Sequence, residues 1–273
     1  MSHPLQTKSL VFDVYAPIVR YDGGWIAIAD LVTVLAQVGM EEQAVRSSVS
    51  RLQRRDMLQR EVRDGTPGYA LTTRSQAVLT EGDLRIYGSL EPAALDDGWA
   101  LVTFSVPEQS RADRHQLRRR LSWLGYGNLG AGLWIAPRRI LERTVAMVAD
   151  LGLQQHVDIF TAHHAAFDDT EHLVSRCWDI DRMRTQYAAY LDTFTPIVQR
   201  WRKTDPAEDP RGAFADFIAA AHEWRKMPYL DPGLPAELLP EGWEGSMAAD
   251  TFNQINTLLL ATAQAYVAGV RRH

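Results

Sequence analysis

At 273 residues the chain can hold two or three domains with hydrophobic cores, and an apolar fraction of 46% excludes disorder. A net charge of −5 does not exclude nucleic-acid binding, which needs only a basic docking face. A lone cysteine, Cys177, rules out an intrachain disulfide and suits a reducing compartment; with no leader-like or membrane-spanning apolar run, a soluble cytoplasmic protein is expected.

Thr7 to Arg20 carries Leu10, Val14 and Ile18 on one face and reads as a first helix, with Pro17 ending or kinking it. Ala27 to Val38 repeats the pattern with Leu31, Val34, Leu35 and Val38. Gly39 then suits a left-handed helix stop, and Glu41 and Glu42 favour the positive end of a following helix. In that helix Val45, Val49 and Leu52 share the inner face. Gln43, Arg46, Ser47, Ser50 and Arg54 fall outward. Gln and Arg make paired hydrogen bonds to purine edges, and Ser bonds bases or phosphates. The pattern is that of a helix-turn-helix, whose second helix reads the major groove. A plain helical hairpin with a solvated polar face is the competing reading.

The next segment favours DNA. Met57 to Val62 reads as a strand, Asp64 to Gly68 as a turn, and Tyr69 to Thr72 as a returning strand, which together make a wing. Arg60 and Arg63 would lie on it near phosphates. From Arg46 to Arg63, Arg46, Arg51, Arg54, Arg55, Arg60 and Arg63 are opposed only by Asp56 and Glu61. Ala77 to Leu90 reads as a helix leading out of this module, and Glu91 to Gly98 as a linker.

Trp99 to Val106 then reads as a strand, Arg111 to Leu124 as a helix burying Leu117, Leu121 and Leu124, and Gly125 to Ala136 as one or two strands. Pro137 is expected to open a helix to about Leu151, before a strand from Val157 to Ala162. The order βαββαβ indicates a ferredoxin-like domain. Arg118, Arg119 and Arg120 read first as a solvated helix face, with DNA or an anionic ligand as the alternative. The last third reads as helices over Glu171–Thr193, Phe214–Met227 and Ala248–Val270. A proline-rich loop follows the second, and the third is apolar enough to be buried in its domain or against a second subunit.

Four blocks in this order resemble the PaaX-type repressors of phenylacetic acid degradation, over about Ser9 to Ala268. They are Glu42 to Leu52, Leu121 to Gly127, Trp178 to Asp181, and His222 to Arg225 with Asp231-Pro232 and Leu234 to Pro240. The resemblance implies an α+β protein of three parts: a winged-helix DNA-binding domain (1–90), a ferredoxin-like, Cas2-like domain (91–166) and a helical C-terminal effector or dimerisation domain (167–273). It also implies a homodimeric repressor released from a palindromic DNA operator by an aryl-CoA thioester such as phenylacetyl-CoA. The DNA-binding candidates are Gln43, Arg46, Ser47, Ser50, Arg51, Arg54, Arg60 and Arg63. For the effector, cations for phosphates and aromatics for an acyl slot point to Arg118, Trp123, Trp134, Arg139, His222 and Trp224. Arg119, Arg138, Lys226, Trp99 and Trp178 are further candidates of the same types.

Enzymatic chemistry finds little support. His222-Glu223 begins like a zinc-protease motif, but Lys226 stands where the second histidine would be. His163 and His164 are adjacent on an extended segment and point apart. A Cas2-type nuclease would carry a metal-binding aspartate where this chain has Ser105, a poor Mg²⁺ ligand. No catalytic residue, metal site or cofactor is expected. A nuclease, a thioesterase and a winged-helix protein-interaction module are the alternatives.

Overall fold

The computed structural model describes residues 10–86, 93–130, 132–165, 167 and 169–271. They divide into two compact units. One lies within Met1–Gly88, Tyr190–Arg225 and Met247–His273, the other within Ser89–Ala189 and Lys226–Ser246. No helix among these residues is long and apolar enough to cross a membrane.

The first unit begins with α1 (Leu10–Tyr15), followed by β1 (Trp25–Ala27), α2 (Ile28–Ala36), α3 (Glu42–Arg54), β2 (Leu58–Arg63), β3 (Thr66–Leu71) and α4 (Thr73–Ile86). Helix α1 ends two residues before Pro17, and the expected start at Thr7 to Ser9 lies outside the described residues. Leu31, Val34, Leu35, Val45 and Val49 are buried together with Leu10 and Val14. Gly39, at φ +77°, turns the chain so that Met40 N–H donates to Leu35 O at 3.1 Å. The three strands form an antiparallel sheet in the order β1-β3-β2.

Two local expectations are corrected. The wing turn is only Asp64-Gly65, and Arg63 pairs directly with Thr66, so Pro67 and Gly68 belong to the returning strand. Both turn residues have positive φ (+49° and +77°), the backbone of a two-residue hairpin that matches strand twist. Helix α4 starts four residues before Ala77, because Thr72 Oγ1 accepts from Ser75 N–H at 3.1 Å and caps it. The rest of the expected helix, Tyr87 to Leu90, and Glu91-Pro92 of the linker lie outside the described residues.

The later part of this unit is α-helical. Helix α8 (Ile180–Trp201) contributes its residues from Tyr190 onward, followed by α9 (Pro210–Trp224) and α10 (Gly245–Val270) from Met247. Asp209 caps α9 by accepting from Gly212 N–H at 2.9 Å, with Pro210 in the first turn. Helix α10 buries Ala248, Phe252, Ile255, Leu259, Ala263 and Val267, so its apolar stripe serves the unit's own core. Three contacts tie these helices to the N-terminal segment: Trp224 Nε1 donates to Ile86 O at 3.0 Å, Gln264 Nε2 to Pro17 O at 3.0 Å, and Arg271 pairs with Asp22.

The second unit runs β4 (Trp99–Phe104), α5 (Arg111–Leu124), β5 (Gly127–Gly130), β6 (Leu133–Pro137), α6 (Leu141–Asp150) and β7 (Val157–Ala162). The sheet is antiparallel in the order β5-β6-β4-β7, which is the ferredoxin-like arrangement. Pro137 ends β6 rather than opening a helix, and α6 begins only after a 3₁₀ turn at Arg138–Ile140. Strand β4 alternates between two cores. Ala100 and Val102 join Leu117, Leu121, Trp134, Met147 and Val148 on the helix side. Trp99 and Leu101 face Ile135, Leu173, Val174, Trp178 and Leu234 on the other.

The expected helix over Glu171–Thr193 is two helices, α7 (Thr170–Cys177) and α8. Trp178 is extended between them, and Asp179 Oδ1 caps α8 by accepting from Arg182 N–H at 3.0 Å. The indole N–H of Trp178 donates to Gly125 O at 3.0 Å, and its ring stacks on Trp99 with centroids 6.1 Å apart. A Cβ at Gly127 would lie 2.6 Å from Cys177 Cβ, so glycine lets β5 meet α7. Two of the sequence blocks singled out above thus touch where Trp178 bonds Gly125.

Candidate nucleic-acid interface

Helix α3 buries Val45, Ser48 and Val49 and exposes Gln43, Arg46, Ser47, Ser50 and Arg54. The period of 3.6 forces this division, because residues three and four apart share a face. Arg46 Nε pairs with Glu42 Oε1 at 2.7 Å one turn back. Both side chains are more than half exposed, so the pair is worth at most about 1 kcal/mol and is readily exchanged for a base. Arg51 is half-buried. Its guanidinium donates to Ser47 Oγ at 3.0 Å and to Ser48 Oγ at 2.8 Å, which lays it along its own helix. Ser47 keeps its hydroxyl hydrogen for an acceptor on a ligand.

On the wing, Arg60 is exposed and Arg63 is not free-standing. Arg63 Nε pairs with Glu61 Oε1 at 2.7 Å, and its guanidinium lies 5.3 Å from the Trp25 ring centroid. Trp25 Nε1 donates to Glu61 O at 3.2 Å. Trp25 therefore braces the wing from β1, a role sequence reasoning missed because β1 is only three residues long. Its only signal was an aromatic directly after Gly23-Gly24.

The six effector candidates divide between the units. Arg118, Trp123, Trp134 and Arg139 belong to one, His222 and Trp224 to the other. Arg118 is exposed, 6.0 Å from the Phe104 ring centroid, and Trp123 is half-buried against Tyr229 at 5.7 Å. Trp134 is buried in the sheet core, with no hydrogen-bond partner on Nε1 among the described residues. Arg139 donates to Pro232 O at 2.8 Å and holds the proline-rich loop. In the same loop Asp231 accepts from Tyr187 Oη at 3.0 Å and from Gly233 N–H at 2.7 Å. Burial pushes the Asp231 carboxyl above the usual range, against the lowering effect of those bonds and of Arg139. Trp224 is buried and stacks on Phe252 at 5.1 Å.

His222 is fully buried, with Nδ1 2.5 Å from Asp13 Oδ2. Arg225 Nε lies 2.7 Å from the other carboxylate oxygen. His163 and His164 bond separate partners, Asp96 O and Thr170 Oγ1, each at 3.3 Å. Ser105 follows β4 directly, and its N–H donates to His156 O at 2.9 Å. Among the described residues no group of three or more His, Cys, Asp or Glu is placed to hold a metal. Burial pushes the Cys177 thiol up, away from the thiolate a nucleophile needs.

Three family models match successive parts of the chain. They are the PaaX-like protein over residues 6–75, the PaaX protein central Cas2-like domain over 92–174 and the PaaX-like protein C-terminal domain over 178–269. The Transcriptional repressor PaaX of Escherichia coli (strain K12) is 25% identical over 268 residues, covering 97% of this chain and 84% of that protein. The solved structure of uncharacterized protein Rv0674 from Mycobacterium tuberculosis is similar in fold, with a TM-score of 0.60 at 21% identity. That likeness covers 97% of this chain and 99% of the other.

Proposed function

The chain belongs to the PaaX-like protein family, and we propose from that membership that it is a transcriptional repressor, not an enzyme, that reads DNA with α3. The observation that carries this reading is the exposed row of Gln43, Arg46, Ser47, Ser50 and Arg54 on a helix that follows a glycine turn and precedes a wing. Early residues of such a helix meet base edges, while Arg54 and Arg60 suit phosphates.

The finer reading is a homodimer on a palindromic operator, released by an aryl-CoA thioester such as phenylacetyl-CoA. It rests on the resemblance of the four sequence blocks. Release requires only that the thioester bind more tightly to a conformer whose two recognition helices are misplaced than to the one that fits DNA. Arg118, Trp123 and Arg139 are the candidates with exposed or half-buried side chains for such a ligand, whereas Trp134, His222 and Trp224 are committed to cores.

Footprinting on the DNA upstream of the protein's own gene tests the reading. Two protected half-sites, related by a two-fold and centred one or more turns of about 34–36 Å apart, are expected. Uniform protection without a preferred site would contradict it.

A further inference from the structure

Helix α5 carries a second cationic face, which the α3 interface does not use. We propose that Arg111, Arg118 and Arg119 form an accessory contact to the phosphate backbone of duplex DNA. The proposal rests on the DNA-binding reading given above.

All three arginines are exposed, as are His115 and Ser122 on the same side of the helix. Leu117, Leu121 and Leu124 are buried against the sheet, so the stripe is the outer, convex side of the element. At about 100° per residue, Arg111, His115 and Arg118 align, Arg119 flanks them, and Asp113 lies about 200° round from Arg111. The other arginines of α5 are engaged. Arg114 pairs with Glu108 at 2.9 Å and donates to Val106 O at 2.8 Å, and Arg120 lies over the Trp123 ring. Among the described residues Arg111, Arg118 and Arg119 have no acidic partner. Arg118 and Arg119 are neighbours, and Arg111 lies about two turns before them on the same side of the helix.

Shape selects the ligand. From Arg111 to Arg119 the stripe rises about 12 Å, a length over which a duplex presents about seven phosphate charges. A small anion such as a nucleotide diphosphate needs a concave site with convergent donors, which the outer side of a helix does not provide. A contact to phosphates carries no sequence information, so it should strengthen binding to all duplexes alike.

The test is salt-dependent binding of the full-length protein to a random-sequence duplex and to the DNA upstream of its own gene. Arg111→Gln/Arg118→Gln/Arg119→Gln should bind both probes about tenfold or more weakly. Its slope of log K against log salt should fall by about 2–3, with the preference between probes unchanged. Arg111→Gln/Arg119→Gln, which keeps the Arg118–Phe104 contact, should lose about 2 from the slope with the circular dichroism spectrum of the parent. Wild-type affinity and slope in both variants, while Arg46→Ala still loses sequence preference, would overturn this contact and leave the α3 reading intact. Unchanged slopes with lost release by phenylacetyl-CoA would hand the stripe to the small anion and overturn the DNA contact. Failure of the unmutated protein to bind either duplex would remove both readings.

Discussion

His222 Nδ1 lies 2.5 Å from Asp13 Oδ2, joining two buried residues 209 positions apart. An ionised carboxylate only accepts, so the imidazole donates from Nδ1, and Arg225 supplies charge to the other oxygen at 2.7 Å. The first helix of the DNA-reading module is thus fastened to α9 by a buried cluster. Removing one member strands the others. Asp13→Ala should cost about 3–5 kcal/mol in urea unfolding, as for other broken buried pairs. A loss below about 1 kcal/mol would mean that water replaces the carboxylate freely.

Gly68 sits where β3 passes β1. An added Cβ would stand 2.5 Å from both Ile26 O and the Trp25 ring, and the backbone oxygen cannot swing aside. Gly68→Ala should therefore lift β1 from β3 and cost about 1–3 kcal/mol, read as a lowered unfolding midpoint. Because Trp25 braces the wing, DNA affinity should fall with stability.

Arg46 and Arg60 should respond differently to truncation. Arg46→Ala should relax sequence preference by about 1–3 kcal/mol, measured as the ratio of specific to random-DNA affinity. Arg60→Ala should weaken both affinities alike and lower the salt slope by about 1. Equal losses on both DNAs for Arg46→Ala would remove it from base reading. Arg63→Ala should mix lost phosphate contact with a loosened wing, because Arg63 is packed on Trp25 and paired with Glu61.

What the sequence made legible follows from the range of the physics involved. Helix α5 and strand β7 have the bounds expected from periodicity, Arg111–Leu124 and Val157–Ala162, since apolar spacing is a local signal. The exposed row on α3 was legible for the same reason. The wing turn was misplaced because Pro67-Gly68 are turn-type residues, yet Gly68 is small to let Trp25 pass. The α7–α8 break carried no glycine or proline, only Asp179 as a cap. The Asp13–His222–Arg225 cluster was not legible, since Asp13 and His222 lie 209 positions apart and His222 was singled out only as an effector candidate. The effector candidates were chosen by residue type alone, and they fall in two units.

The proline-rich loop should give a pH signature. Asp231 has its carboxyl raised by burial above the unfolded value near about 3.9. Its native environment contributes fully below that value, and the contribution is lost as pH rises through the folded-state pKa. Asp231→Asn should therefore gain on the parent as pH rises above about 4, read as the difference in unfolding midpoints. A difference independent of pH would show that the carboxyl ionises alike in both states.

A mobility-shift titration of the purified protein on the DNA upstream of its own gene, with and without phenylacetyl-CoA, tests the central claim most directly. Tight binding that outcompetes random DNA and is lost when the thioester is added is the expected result. Binding no tighter than to random DNA would contradict the repressor itself; specific binding indifferent to the thioester would contradict that effector.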